Sequence, residues 1–292
     1  MHRQPLAEVF GFPIGNFTIE AIRHRSKRLC PHNNKVPNCT KDKAKDPLGV
    51  CSVFDIDKVV TTCPIRFRQD WIIASDAASF FFPSNVAWTS LTEVRLPDQY
   101  GHSAGNIDVV LVAYDDNGRV IDFGALEVQA VYISGNIRNA FEFFMLDPEK
   151  HHKMEWEGAY YPRPDYLSSS RKRLAPQLIY KGGILNKWRK KAAVVVDKHF
   201  FSSLPELPTT SAEDADIAWL IYDLLLDDTS NRYKLTNIKT VYTAFTSALN
   251  TITTSEAGPI DDFIGHLQLK LDEKLESGFP PEAPTLEDFP IE

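Results

Sequence analysis

The sequence predicts an α/β protein with a cysteine-bearing N-terminal module, and three observations carry that expectation. Two runs rich in branched aliphatics, 106–114 (NIDVVLVAY) and 120–133 (VIDFGALEVQAVYI), flank Asp115-Asp116-Asn117-Gly118. An Asn-Gly pair between two such runs signals an antiparallel hairpin. Just past Gly135, the apolar residues Ile137, Ala140, Phe141 and Phe144 recur at helical spacing, which predicts a helix over 136–146 packing on that sheet. All four cysteines, Cys30, Cys39, Cys51 and Cys63, fall in the first quarter of the 292 residues.

The remaining elements follow in chain order. Residues 1–64 read as the N-terminal module: an apolar opening, a helix near 18–28, then the cysteine loop. Residues 65–292 read as one larger domain. Its first part, 65–135, reads as sheet with connecting loops. Pro148, Pro162 and Pro164 exclude long regular elements from 147–170. A helix is expected near 175–180 or slightly wider, and 192–196 (AAVVV) reads as a short, fully buried strand. A break at 205–210 precedes 217–226, a uniformly apolar run whose periodicity fits strand or helix; Ser211 with Asp214 resembles a capping box and leans it to helix. A closing helix is expected over 262–276, ended at Gly278, with an acidic proline-rich tail behind it (FPPEAPTLEDFPIE). There are no internal repeats.

Composition excludes several classes. The hydrophobic share of 43% and charged share of 24% are those of a soluble globular protein. No stretch approaches the ~20 apolar residues that cross a bilayer. The opening MHRQPLAEVFGFPIGNF has no apolar signal core, so the expected location is the cytoplasm, with no membrane association. The net charge of -7 argues against a nucleic-acid partner only if charge is averaged over the surface. Eight cations (Arg23, Arg25, Lys27, Arg28, Lys35, Lys41, Lys43, Lys45) stand against Asp42 alone, and RKR at 171–173 and KWRKK at 187–191 form a second basic stretch. A basic cleft on an acidic body fits these runs; so does a mosaic of solvated faces.

The cysteines admit three readings: two disulfides, a four-thiolate metal site, or unrelated buried thiols. A reducing cytosol disfavours disulfides. The loop CPHNNKVPNCTKDKAKDPLGVC is polar and lysine-rich, with little to bury, so a tetrahedral thiolate staple is the favoured reading. The spacings are wider than those of familiar zinc sites, and four thiolates suit zinc or iron equally. His32 reads as a spectator.

The chemistry sits on the hairpin. Asp108 opens its first strand; Glu127 and Gln129 lie two apart in its second and project from one face. Carboxylates on adjacent strands can converge on one hydrated Mg²⁺, which polarises a phosphodiester and lowers the pKa of an attacking water. Glu93 is a candidate further ligand. Residue 129 would help position the water, and the glycines between 101 and 105 would let substrate approach the backbone. A D…E-x-Q pattern arises by chance in many proteins. Against chance, Glu127 and Gln129 interrupt an apolar strand (GALEVQAVYI), where an unpaired charge is costly.

The segment GNIDVVLVAYDDNGRVIDFGALEVQAVYISG, with the cysteine cluster upstream, resembles the NotI-like restriction endonucleases of the PD-(D/E)xK superfamily. The resemblance spans roughly Cys30 to Gly135. It implies a PD-(D/E)xK-type mixed central sheet flanked by helices, with 1–64 as a four-cysteine metal module and 65–292 as the catalytic and DNA-recognition domain. It further implies a homodimer, a cognate DNA methyltransferase in the same cell, and cleavage of double-stranded DNA at a GGCC-containing palindrome such as CGGCCG or GCGGCCGC, leaving 5′ overhangs. Glu93, Asp108 and Glu127 would bind Mg²⁺, Gln129 would stand in the usual lysine position, and Cys30, Cys39, Cys51 and Cys63 would hold a structural iron. Arg171, Lys172, Arg173, Lys187, Arg189 and Lys190 are the DNA-contacting candidates, with His151 and His152 nearby, whereas Trp188 reads as a core anchor. Two other functions stay open: a repair or mobile-element nuclease with little sequence specificity, and a non-enzymatic, metal-stapled DNA-binding protein.

Overall fold

The computed structural model describes residues 2–33, 37–43, 46–156 and 160–277; Lys35, Lys45, Gly278 and the tail 279–292 lie outside the described residues. The chain divides into two compact units, Met1–Thr253 and Thr254–Glu292. The second contains the closing helix, which spans Ile260–Ser277. Among the described residues no helix is long and apolar enough to cross a membrane.

The first unit opens with a four-stranded antiparallel sheet. Its strands β1 (Leu6–Val9), β2 (Phe12–Pro13), β3 (Val50–Asp55) and β4 (Lys58–Thr61) lie in the order β2-β1-β3-β4. Helix α1 (Ile19–Lys27) leaves β2 where expected: the Thr18 side chain accepts from Ala21 N–H, and Arg28 closes the helix in the left-handed conformation.

The region after it is not all sheet. Helix α2 (Ile72–Phe81) precedes the first long strand and buries Ile73, Ala74, Ala77, Ala78, Phe80 and Phe81. Ser75, Asp76 and Ser79 form its polar side, with Ser75 and Ser79 exposed, so the helical stripe was present in IIASDAASFF and the reading of this region as sheet passed over it.

The expected hairpin is present as β6 (Ser103–Tyr114) and β7 (Val120–Gln129), flanked by β5 (Trp88–Pro97). The second run does not continue to 133. Strand β7 ends at Gln129, and β8 (Tyr132–Ser134) turns away to pair with β9 (Arg163–Asp165). Helix α3 (Ile137–Leu146) follows with its predicted stripe, but Ala140, Phe141 and Phe144 pack on Leu6, Val9, Phe10, Val50 and Val53 of the N-terminal sheet. The helix spacing was legible; its partner sheet was not.

A long helix, α4, runs over 166–187, and β10 (Ala192–Asp197), α5 (Lys198–Ser202), β11 (Ile217–Asp227), β12 (Arg232–Thr243) and α6 (Phe245–Thr253) complete the unit. The apolar run at 217–226 is therefore a strand. It is parallel to β10 on one side and antiparallel to β12 on the other, and an interior strand covered on both faces reads as a continuous apolar run. The Asp214 N–H does donate to Ser211 Oγ, at 3.2 Å, but the pair closes a turn before the strand.

The central sheet has the order β12-β11-β10-β7-β6-β5. The β7–β10 and β10–β11 pairs are parallel and the other pairs antiparallel, giving the mixed sheet. On one face Val109, Leu111, Leu126, Val128, Val195 and Leu220 pack against α2. On the other, Val194, Val196, Trp219 and Ile221 meet Leu174 and Leu178 of α4 and Phe245 of α6.

Two buried polar links join the N-terminal sheet to this framework. Arg66 donates to Glu8 at 3.0 Å, with both side chains fully buried, and its remaining nitrogens reach Gln69 and the Tyr233 carbonyl, each at 2.7 Å. Asp197, at the end of β10, accepts from Thr61 N–H of β4 (2.9 Å) and from His199 N–H (2.8 Å). Burial pushes the Asp197 carboxyl up to about 6, against the two backbone donors. Because the folded-state value is raised, the stabilisation tied to Asp197 is complete below about pH 4 and is lost as pH rises through 6. Asp197→Asn should remove this component. Between pH 4 and 7 the wild type should lose about 3 kcal/mol relative to that variant in urea unfolding; parallel pH profiles would exclude the assignment.

Candidate active site

From Asp122 opposite Ala113, strands β6 and β7 stay in register as far as Leu126 opposite Val109, and there they part. The side chain of Asp108 fills the gap: its Oδ2 accepts from Val128 N–H at 2.8 Å. Strand β7 meanwhile stays paired with β10 as far as Gln129 opposite Val196. The sheet thus opens a fork, with Asp108 on one prong and Glu127 on the other, one step beyond the last paired residues.

Alternation then sets the faces. Leu126 and Val128 point to α2, so Glu127 and Gln129 point to α4. Both are buried, at 7% and 2% exposure, and both meet that helix. Glu127 Oε2 accepts from Lys181 Nζ at 2.6 Å, and Gln129 Nε2 donates to Gln177 Oε1. The spacings match: two strand residues and four helical residues each advance about 6 Å.

Helix α4 is shaped to reach the site. Its segments 170–174 and 178–182 are π turns, in which Ala175 N–H bonds Ser170 O and Gly183 N–H bonds Leu178 O. Pro176 lies between them, and its ring cannot fit a regular α-helical interior. Gly182 lets the helix press on α6, since a Cβ there would lie 2.7 Å from the Phe245 ring.

The electrostatics of the fork are strained. Burial pushes the Glu127 carboxyl up to about 8, the Asp108 charge adds to the rise, and Lys181 opposes it. Glu127 Oε1 is buried without a hydrogen-bond partner among the described residues. Two facing carboxylates with one bare buried oxygen suit a divalent cation, which would satisfy that oxygen and cancel the repulsion. Glu93 is not one of the buried pair. By register it lies opposite Asp108, between the Thr92–Val109 and Val94–Ile107 pairs, but on edge strand β5, exposed, with a left-handed backbone (φ 57°).

The four cysteines come together as well. Cys30, Cys39, Cys51 and Cys63 line one small cavity with Phe10, His32, Lys41 and Arg66, and all four thiols are free. Burial pushes the Cys30 thiol up to about 11 and raises Cys39 and Cys51; the neighbouring thiols add to each rise. Thiolates that repel one another in a shared cavity are a donor set for a soft or borderline cation. Among the described residues no three His, Cys, Asp or Glu side chains already stand in metal-holding geometry. The cysteines share a cavity, not a formed cage.

The family model of the NotI restriction endonuclease matches residues 8–235. The chain belongs to this family. The NotI match runs from β1 into β12, so it takes in the cysteine cavity, the fork and α4. Among curated proteins no sequence matches. As a NotI family member the chain is a type II restriction endonuclease, a hydrolase acting on double-stranded DNA.

The basic candidates fall at the two ends of α4. Arg171 and Lys172 are exposed near its start, with Arg173 stacked over Tyr132 at 4.9 Å; Lys187 ends it, and exposed Arg189 follows. Lys190 is tied to Asp122 at 2.6 Å. His151 and His152 bond the carbonyls of Phe143 and Glu149, each at 2.7 Å, so their rings are engaged within the fold. Trp188 is 48% exposed and meets Phe123 edge-on, so it is not a core anchor.

Lys181 is the site residue that sequence reading missed. Its signal was available: one lysine in an apolar stretch (LIYKGGIL), the same argument that singled out Glu127.

The fork separates two roles of Asp108. Asp108→Asn keeps an acceptor for Val128 N–H, whereas Asp108→Ala strands that buried donor. The alanine variant should be less stable than the asparagine variant by about 1–3 kcal/mol in denaturant unfolding. Equal stabilities would mean that the contact does not hold the fork.

Proposed function

We propose that the chain is a Mg²⁺-dependent restriction endonuclease of the PD-(D/E)xK superfamily, cutting a GC-rich palindrome that contains GGCC and leaving 5′ overhangs. The observation that carries this reading is the fork: two carboxylates from neighbouring strands turned to one face, with a bare buried oxygen between them.

In this reading Asp108 and Glu127 hold the divalent cation, with Glu93 as a further ligand supplied from the edge strand. The cation, when bound, polarises the scissile phosphodiester and makes water a better nucleophile. The chain's own residues do the rest. The sheet fixes Asp108 through the Val128 N–H, so the pair is placed by backbone geometry and not by a mobile loop. Gln129, fastened to Gln177, presents an amide beside the pair that can orient the attacking water but brings no charge. Arg171, Lys172, Arg173, Lys187 and Arg189 contact the DNA phosphates and the guanine O6 and N7 edges. Lys190, already paired, is the weakest of the six candidates. Matching cuts in the two strands of a palindrome need two copies of the site, so the working form is a two-fold homodimer, each subunit reading one half-site. A cognate methyltransferase protects the host DNA, and the enzyme works in the cytoplasm. The cysteine cavity takes a structural iron or zinc ion that staples the N-terminal module.

Plasmid DNA incubated with the protein and Mg²⁺ should give discrete fragments, and EDTA should stop the reaction. Asp108→Asn and Glu127→Gln should each lower cleavage by at least about 10³-fold with DNA binding retained. Smeared products would indicate a nonspecific nuclease, and cleavage by either variant at the wild-type rate would remove the site assignment. Cys39→Ser should lower bound metal from about one ion per chain and reduce thermal stability. Unchanged metal content in that variant would exclude the four-cysteine site.

A further inference from the structure

We propose that Lys181 is the cation of this active site, delivered from a helix to supply the positive charge that position 129 of the strand, a glutamine, lacks. The inference rests on Asp108 and Glu127 being the cation-holding pair.

A lysine is almost never buried unless it is paired, and Lys181 is 5% exposed. Its partners are the two prongs of the fork. The ammonium donates to the Asn106 carbonyl of β6 at 2.8 Å and to Glu127 Oε2 of β7 at 2.6 Å. It therefore bridges the strands beside the point where their own ladder ends. Two of its three N–H groups are used in this way, which leaves one for an oxygen of the substrate.

The surroundings are built to deliver it. The second π turn of α4 contains Lys181, and such turns re-aim side chains out of the regular helical rows. Gly105, at φ 117°, faces the lysine stem; a Cβ there would lie 3.6 Å from Lys181 Cδ, in a backbone conformation that L side chains rarely adopt. Gly182, next in sequence, sits directly under Phe245 and holds this part of the helix against the fold.

The chemistry accounts for the lysine being there. A phosphoryl group under attack gains negative charge, and a nearby cation in a desolvated site stabilises it. The Gln129 amide can donate a hydrogen bond but carries no charge. Gln129 and Lys181 both belong to the strand–helix seam, because Gln129 meets Gln177, one helical turn before Lys181. Position 129 is thus close enough to Lys181 for a charge at either place to act on the same site. If Lys181 merely filled a hole, moving its charge to position 129 would change nothing.

The test uses full-length protein and single-turnover cleavage of DNA in Mg²⁺, with DNA affinity measured separately in Ca²⁺. Lys181→Met should lower the cleavage rate by at least about tenfold while affinity stays within about threefold. Adding Gln129→Lys to Lys181→Met should restore the rate by at least about tenfold. A smaller loss in the single variant, or no gain in the double, overturns the proposal. Should Lys181→Met fail to fold, Lys181→Gln with and without Gln129→Lys puts the same question under the same criteria. Asp108→Asn, run in parallel, separates the two levels. If it is inactive while Lys181→Met cuts normally, only the role of Lys181 falls. If Asp108→Asn cuts normally, the carboxylate pair falls, and the role of Lys181 with it.

Discussion

The hydrogen bond from Val128 N–H to Asp108 marks the point on which the rest of the site depends. An antiparallel ladder cannot end inside a protein without leaving donors bare, and a bare buried donor is costly. Here the ladder between β6 and β7 ends after Leu126 and Val109, and the carboxylate of the next residue takes the donor that is freed. The same group that ends the pairing becomes the first acidic wall of the fork. Because β7 remains anchored to β10, its departure from β6 is a fixed divergence, and Glu127 and Gln129 keep their strand alternation while they face a helix in place of a neighbouring strand.

What this arrangement costs is visible in the same residues. Glu127 is buried beside another carboxylate, one of its oxygens has no partner, and its carboxyl is held far above the ordinary range. Only one of these stresses is relieved within the fold, by the Lys181 ammonium. Other buried charges differ: the Arg66–Glu8 pair and the Asp197 carboxylate spend their capacity on partners that join the N-terminal sheet to the framework. A buried carboxylate held against a second one, with an oxygen left bare, is the kind of electrostatic stress found where a site is shaped for a ligand.

How much of this could be read from the chain follows from where each signal arises. The hairpin and the shared face of Glu127 and Gln129 depend on local rules, an Asn-Gly turn and a period of two, so they were legible. So was the gathering of the cysteines, because they are dense in sequence as well as in space. Strand β11 was not, because an element buried on both faces loses the polar stripe that distinguishes strand from helix; helix α2 carried such a stripe in Ser75, Asp76 and Ser79, but it is short and was passed over. The stripe of α3 was plain, yet its packing on β1 and β3 is a matter of topology that periodicity does not encode. Helix α4 was glimpsed only around 175–180, since Pro176, Gly182 and Gly183 are helix-breaking residues that two π turns absorb. For Lys181 the burial was legible, as a lone lysine in an apolar run, but its partner was not, because Glu127 lies 54 residues away along the chain.

The chemistry of the fork rests on one divalent cation gathered between Asp108 and Glu127. Crystals soaked in Mn²⁺ and measured at a wavelength where manganese scatters anomalously would locate it. A shared cation gives a peak about 2.0–2.3 Å from a carboxylate oxygen of each residue. A well-occupied peak elsewhere with none in the fork, or one touching only a single carboxylate, would contradict it.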